Sequence, residues 1–389
     1  MSITATVDGQ TVTWRDHKRY LWLLGIVVPL LPLGAWREST RWDLDVFWWL
    51  GPIWVLSVIP LLDAVLGQDR SNPPEWAVDE LARDRFYRWC TFLYLPVQYA
   101  SLVLACWVVT HVDMSLVDRL GYALTVGTVA GVAINTAHEL GHKREAMERW
   151  LGRVALAQTG YGHFFIEHNR GHHVRVATPE DPASSRMGES FWAFLPRTVS
   201  GSLRSAWGIE AARLDRLGVS HWSYKNDILS AWAMTVLLFG GLAVAFGPVV
   251  LPYLIVQAVV GFSLLEVVNY LEHYGLLRQR KDDGRYERCQ QQHSWNSNNV
   301  ASNVLLFHLQ RHSDHHTHPT RRYQALRHAE EAPQLPTGYA GMIVLALFPP
   351  VWRRVMDPRL LAHYDGDVSR INMQPRARRR IEARYGSAS

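Results

Sequence analysis

Residues 119–142 read RLGYALTVGTVAGVAINTAHELGH. Residues 119–137 are almost wholly apolar, and a bilayer core needs about 20 such residues to be crossed by one helix. The run stops at His138-Glu139-Leu140-Gly141-His142. Two imidazoles four residues apart lie on one face of a helix, and imidazole is the commonest metal-ligating side chain. A membrane helix here delivers a pair of metal ligands to the membrane surface.

Five other segments have spanning length and composition: 20–36, 44–66, 89–110, 227–247 and 249–271. The expectation is an all-α integral membrane protein. Six transmembrane helices carry a cytoplasmic helical cap with a histidine-rich di-iron site, and residues 1–389 form one domain. Pro29, Pro32, Pro52 and Pro60 fall inside the first two spans and predict kinks there. A seventh apolar stretch, 339–352, is too short to span and ends in Pro349-Pro350. It is expected to lie at the interface or against the cytosolic part. The 389 residues are 48% hydrophobic, yet mean hydropathy is only -0.08, because apolar spans alternate with long charged loops. Several of the 17 Trp and 15 Tyr flank the spans, as an interfacial belt would.

The net charge of +5 does not mark a nucleic-acid binder, because the basic residues surround apolar spans and form no single stripe. Lys and Arg crowd the 67–88 loop and the 143–226 segment and are absent from 111–118 and 246–248. The positive-inside rule then puts the N-terminus and the parts 138–226 and 272–389 in the cytoplasm of a bacterial inner membrane, although Arg37 and Arg41 run against it. Cys90, Cys106 and Cys289 are odd in number and widely spaced, so no disulfide framework is expected. They form no CxxC pair, which excludes a zinc ribbon or an iron–thiolate centre. No small-residue cleavage site follows the first apolar run, so no cleavable signal peptide is expected.

The histidine pattern of 138 and 142 recurs as His168-x3-His172-His173 and His312-x2-His315-His316, with His273 ending the sixth span. Segments four and six end on the cytoplasmic side, so all nine rings meet on one face. Nine rings are too many for one ion. His138–His142 matches HExxH, in which a Glu serves as base for a zinc hydrolase, but such a site takes three protein ligands and a water. A membrane zinc protease would leave six histidines idle. A metal transporter would need polar residues along its spans, where Asp63 and Glu266 alone stand out. Two ions bound almost wholly by imidazole, with no Met or Cys pattern to favour copper, point to iron and oxygen activation. A ring one position beyond an i, i+4 pair lies about 100° away on an α-helix. That suggests His138, His142, His168 and His172 for one ion, and His173, His273, His312, His315 and His316 for the other. Two divalent ions on neutral rings leave about four positive charges for outer carboxylates to balance, with Glu139, Glu167, Asp181, Glu272 and Asp314 as candidates. His163, His221, His293, His308, His318 and His328 read as ordinary hydrogen-bonded residues.

The strings NTAHELGHK (135–143), GYGHFFIEHNRGHH (160–173), NYLEHYGLL (269–277), HSWNSN (293–298) and LQRHSDHHTHP (309–319) carry a resemblance. The chain resembles the bacterial membrane-bound alkane 1-monooxygenases, of the histidine-rich di-iron superfamily that also holds the membrane fatty acid desaturases. The resemblance covers nearly the whole chain, and its NYxEHYG string separates it from the desaturases. It implies terminal hydroxylation of n-alkanes with O2, two non-haem Fe ions held by the nine histidines, and electrons from reduced rubredoxin supplied by its reductase. Rubredoxin would be a separate protein or one fused beyond residue 389, with Gly386–Ser389 as the start of a linker. An acidic rubredoxin would be steered to Arg376, Arg378, Arg379 and Arg380, which otherwise would contact membrane lipid headgroups. A substrate without polar handles must be selected by shape. Trp48, Trp49, Trp54 and Val55 of the second span are the expected channel wall, and bulky residues there would limit chain length. The nearest alternative is a membrane fatty acyl desaturase or hydroxylase with the same metal chemistry, which would need polar headgroup recognition at the channel mouth.

Overall fold

The computed structural model describes residues 2–386. Six helices are long and apolar enough to cross a membrane: Arg19–Trp42, Asp45–Leu66, Arg85–His111, Leu116–Gly141, Asp227–Phe246 and Val250–His273. They match the six expected segments and extend most of them by a few residues. Span four is the axis of the bundle. Almost every residue from Gly121 to Gly141 is buried, because span six packs along one side of it and span two along another. The approach to span six is close: a Cβ on Gly127 would stand 2.6 Å from Val260, and one on Gly131 2.7 Å from Leu264. Backbone contact of this kind is how helices associate where lipid removes the hydrophobic drive between them. It also brings the two C-terminal ends, at His138 and His273, side by side.

Irregular turns accompany two of the four span prolines, Pro29 and Pro60. Span one begins as a 3-10 segment, Arg19–Leu30, containing Pro29. In span two, Pro60 has no N–H to give to Leu56. The preceding turn, Trp54–Val58, is a π-turn in which the Ile59 N–H reaches back to the Trp54 carbonyl.

Outside the spans, an N-terminal hairpin pairs Ser2–Val7 with Gln10–Arg15. Its two-residue turn puts Asp8 and Gly9 at φ 49° and 76°, the left-handed pair that an Asp-Gly dipeptide favours. A helix at Phe191–Arg216 packs on span six: Phe194 meets Tyr270, and the Thr198 hydroxyl donates to Glu266 Oε2 over 2.8 Å. The stretch beginning at 339 does not span: its first helix, Tyr339–Ala346, packs between spans two and six and also meets the part after span six, the Tyr339 N–H donating to Gln310 Oε1 over 2.8 Å, and the next, Pro349–His363, continues from it. The small buried residues Ala340 and Ala346 let it approach the bundle.

Candidate metal centre

Each histidine sits at the end of an element or in a widened turn. His138 occupies the last turn of span four, and His142 is its cap. His273 is the last residue of span six. His312, His315 and His316 lie on the short helix His312–Thr317. The backbone before that helix turns sharply through Phe307 and His308, both left-handed at φ 50° and 55°. His168 and His172 lie in a π-turn, Glu167–His172, and Gly171 leaves room there for the Glu167 carboxylate and the Arg175 guanidinium, which a Cβ would crowd.

Two groups of ligand atoms result, each with all members within 4.8 Å of one another. One comprises His138, His142, His168, His173 and His315; the other comprises His172, His273, His312 and His316. The groups adjoin, with the His173 and His316 ring centres 4.4 Å apart. This corrects the division expected from sequence: His172 and His173 exchange places, and His315 joins the first group. The cause is the π-turn. In an α-helix residues i and i+5 are about 140° apart, but hydrogen bonding from i to i+5 widens the turn. His168 Nε2 and His173 Nε2 thereby come within 3.1 Å, while His172 faces the second group, its Nε2 3.3 Å from His316 Nε2.

The donor set suits metal ions. His312 Nε2 stands 3.3 Å from His273 Nε2 and 2.8 Å from His316 Nε2, and His315 Nε2 is 3.2 Å from His173 Nε2. His138 Nε2 and His142 Nε2 are buried without any protein partner. Burial, followed by the neighbouring imidazoles, pushes His142, His168, His173, His312, His315 and His316 well below the usual histidine range. Neutral rings turning the same nitrogen inward offer lone pairs to a cation and little to one another.

The five expected outer acids divide. Asp181 Oδ2 lies 2.9 Å from His172 Nδ1 and accepts the outer N–H that fixes that ring. Glu139 instead pairs with Lys143 and accepts from the Tyr323 N–H. It points away from the rings, which removes the base that an HExxH hydrolase would require. Glu167 pairs with Arg175, and burial raises its carboxyl to about 7. Asp314 is taken by Arg321, the Arg327 N–H and His318. Glu272 is the departure that sequence reasoning did not anticipate. Its Oε2 is 3.2 Å from His312 Nε2, the inward nitrogen, and its buried Oε1 has no partner. It faces the second group from the metal side.

Of the expected channel wall, Val55 alone lines the inner cavity, a space of about 50 Å³ among spans two, four and six. Trp48 packs against Tyr122, and Trp49 lies against Gly121, both toward the other end of the bundle. Trp54 lines a separate groove beside span one. The inner cavity leads toward the metal groups: its lining residues Asn135, Val268 and Leu309 stand a turn or so before His138, His273 and His312.

Fold and site together define a multi-pass helical membrane protein with two adjoining histidine clusters, each able to hold a metal ion. Residues 118–346 match the fatty acid desaturase family model. The chain is 46% identical to alkane 1-monooxygenase 1 of Alcanivorax borkumensis over 97% of its length and 94% of the relative's. It is 48% identical to the alkane 1-monooxygenase of Pseudomonas putida, covering 92% and 89%. At 27% identity, over 82% and 84%, it is also similar to the xylene/toluene monooxygenase hydroxylase component of Pseudomonas putida. This chain belongs to the alkane 1-monooxygenase family.

Proposed function

We propose that the protein converts n-alkanes to 1-alkanols with O2 at two non-haem iron ions. Two electrons and two protons reduce the second oxygen atom to water. The observation that carries the substrate class is the state of the inner cavity's polar groups. Its lining has only two such side chains, and both are engaged elsewhere. Asn135 Nδ2 donates to the Leu306 carbonyl over 2.7 Å, and Ser302 Oγ donates to Asp63 Oδ2 over 2.5 Å. Only the Asn135 side-chain oxygen is left without a donor, a single acceptor where a charged headgroup would need several groups, which favours a bare alkyl chain over an acyl thioester.

His138, His142, His168, His173 and His315 would hold one iron. His172, His273, His312 and His316 would hold the other, with Glu272 supplying the one carboxylate aimed at it. Bound iron supplies the oxygen activation. The protein's own part is to keep the rings neutral and oriented, with Asp181 setting His172. It also excludes water through Val55, Ile59, Leu264, Leu309 and Ile343, and aligns the terminal methyl with the ligand cluster. The N-terminus and the metal centre would face the cytoplasm of the inner membrane. Reduced rubredoxin, separate or fused, would deliver the electrons there. Arg376, Arg378, Arg379 and Arg380 are all exposed and would attract an acidic donor, with turnover weakened by salt.

The test is product analysis with octane and an acyl-CoA side by side, using reduced rubredoxin and iron-loaded enzyme. Octan-1-ol from octane and no product from the thioester is the expected result. A desaturated or hydroxylated acyl chain, with octane untouched, would overturn it.

A further inference from the structure

We propose that alkyl chains enter sideways from the bilayer through an opening between spans two and six and the Phe191–Arg216 helix, and that Trp192 is its gate. The proposal rests on the alkane reading above.

A second cavity, of about 380 Å³, lies outward of the first. It is lined by Leu56 of span two, Leu124 of span four, Val259 of span six, Trp192 of the 191–216 helix and Leu347 just beyond the 339–346 helix. The two cavities share Val55, Leu264 and Ile343, so these three side chains form the wall between them. The outer cavity opens toward lipid, since Leu56 is 40%, Val259 46% and Trp192 56% exposed. Of its few polar lining groups, Thr128 donates its hydroxyl to the Leu124 carbonyl of its own helix. An apolar space joined to the cavity behind the ligand histidines, and open where hydrocarbon lies, takes a saturated chain and offers little to anything else.

Trp192 closes this opening in a particular way. Its indole Nε1 donates to the Leu347 carbonyl over 3.1 Å. That bond ties the start of one helix to the end of another across the outer cavity, and the ring packs on Phe191. A single hydrogen bond holds an otherwise half-exposed side chain, so swinging the ring costs that bond and little packing. A competing groove beside span one, of about 280 Å³, is also apolar. It shares only Leu305 with the inner cavity, and Trp54 stands across it.

The experiment places one cysteine at each mouth, Trp192→Cys and Leu62→Cys, in full-length iron-loaded enzyme. Each variant is treated with a bulky aryl methanethiosulfonate and later released with reductant. Wild-type enzyme treated alike controls for Cys90, Cys106 and Cys289. Blocking at 192 is expected to lower kcat/KM for octane by roughly ten-fold or more, mainly through KM, with iron content unchanged and activity recovered on release. Blocking at 62 is expected to change little. Trp192→Phe keeps the ring and removes the N–H, and is expected to lower KM by about two-fold or more at unchanged kcat. Full kcat/KM in the blocked 192 variant, or loss only in the blocked 62 variant, overturns the portal while leaving alkane oxidation intact. An unmoved KM in Trp192→Phe overturns the latch. Wild-type enzyme that does not oxidise octane at all overturns both the portal and the reading beneath it.

Discussion

At the scale of single residues, the two metal sites differ in how much they can lose. The first group holds five rings. The second holds four, with Glu272 beside His312. His315→Ala leaves four imidazoles, whereas His273→Ala leaves three and one carboxylate. Both variants should lose hydroxylation, but His315→Ala should retain more iron per chain by metal analysis. Two irons and full activity in His273→Ala would remove that residue from the ligand set. Asp181→Asn keeps the shape but puts an amide against His172 Nδ1. Losing an outer-shell partner of this kind costs about 10–100-fold in metal affinity, measurable by competition with a chelator, and unchanged affinity would make Asp181 merely structural. The number and clustering of the rings were legible in the sequence because spacings of three and four declare a shared helical face. Their partition was not, because spacing was converted to angle with α-helical geometry and the chain forms a π-turn at Glu167–His172. Glu272 was misjudged for a related reason: adjacency to a ligand reveals a carboxylate's presence but not which ring nitrogen it faces.

At the scale of elements, hydropathy exposed all six spans, since crossing a bilayer demands a long apolar run whatever the neighbours are. It missed what depends on partners. The 339–346 helix is too short to declare itself and is defined by the groove it fills. The 191–216 helix is concealed by its own charges. The N-terminal hairpin is signalled locally by the Asp8-Gly9 dipeptide, and its two six-residue strands pair only with each other. The close approach of spans four and six makes a local prediction. Gly131→Val pushes a branched side chain into Leu264 and the Gly261 carbonyl, both within about 3.0 Å of its Cβ. Overpacking of this kind costs about 1–3 kcal/mol, so a lowered melting temperature in detergent and reduced iron content are expected, because the wedge separates His138 from His273. Span two makes another. Val55 belongs to both cavities, so Val55→Trp should shift the preferred alkane to shorter chains in a product series. An unchanged chain-length profile would remove span two from the substrate path.

At the scale of the whole molecule, the metal centre ties the ends of spans four and six, already packed together, to two elements distant in sequence: the π-turn after residue 166 and the short helix at 312. Iron should therefore act as a folding cross-link, and the histidines make the stability of the fold pH-sensitive. Burial holds six of the rings outside the spans below their ordinary titration range. An unfolded chain releases them to about 6.5, so below that pH the unfolded state binds more protons than the folded one. Stability of the metal-free protein is then fully present above about pH 6.5 and falls as the pH drops beneath it. Bound iron occupies the same nitrogens and stabilises the folded state by mass action, without moving that onset, because the folded rings are neutral with or without it. The measurement is a melting curve in detergent from pH 5 to 8 with and without chelator. Both forms should lose stability below about pH 6.5, with the metal-free form melting lower throughout by a nearly constant margin. Coincident curves, with no gain in melting temperature from iron at any pH, would show that the nine rings are not what the metal holds together.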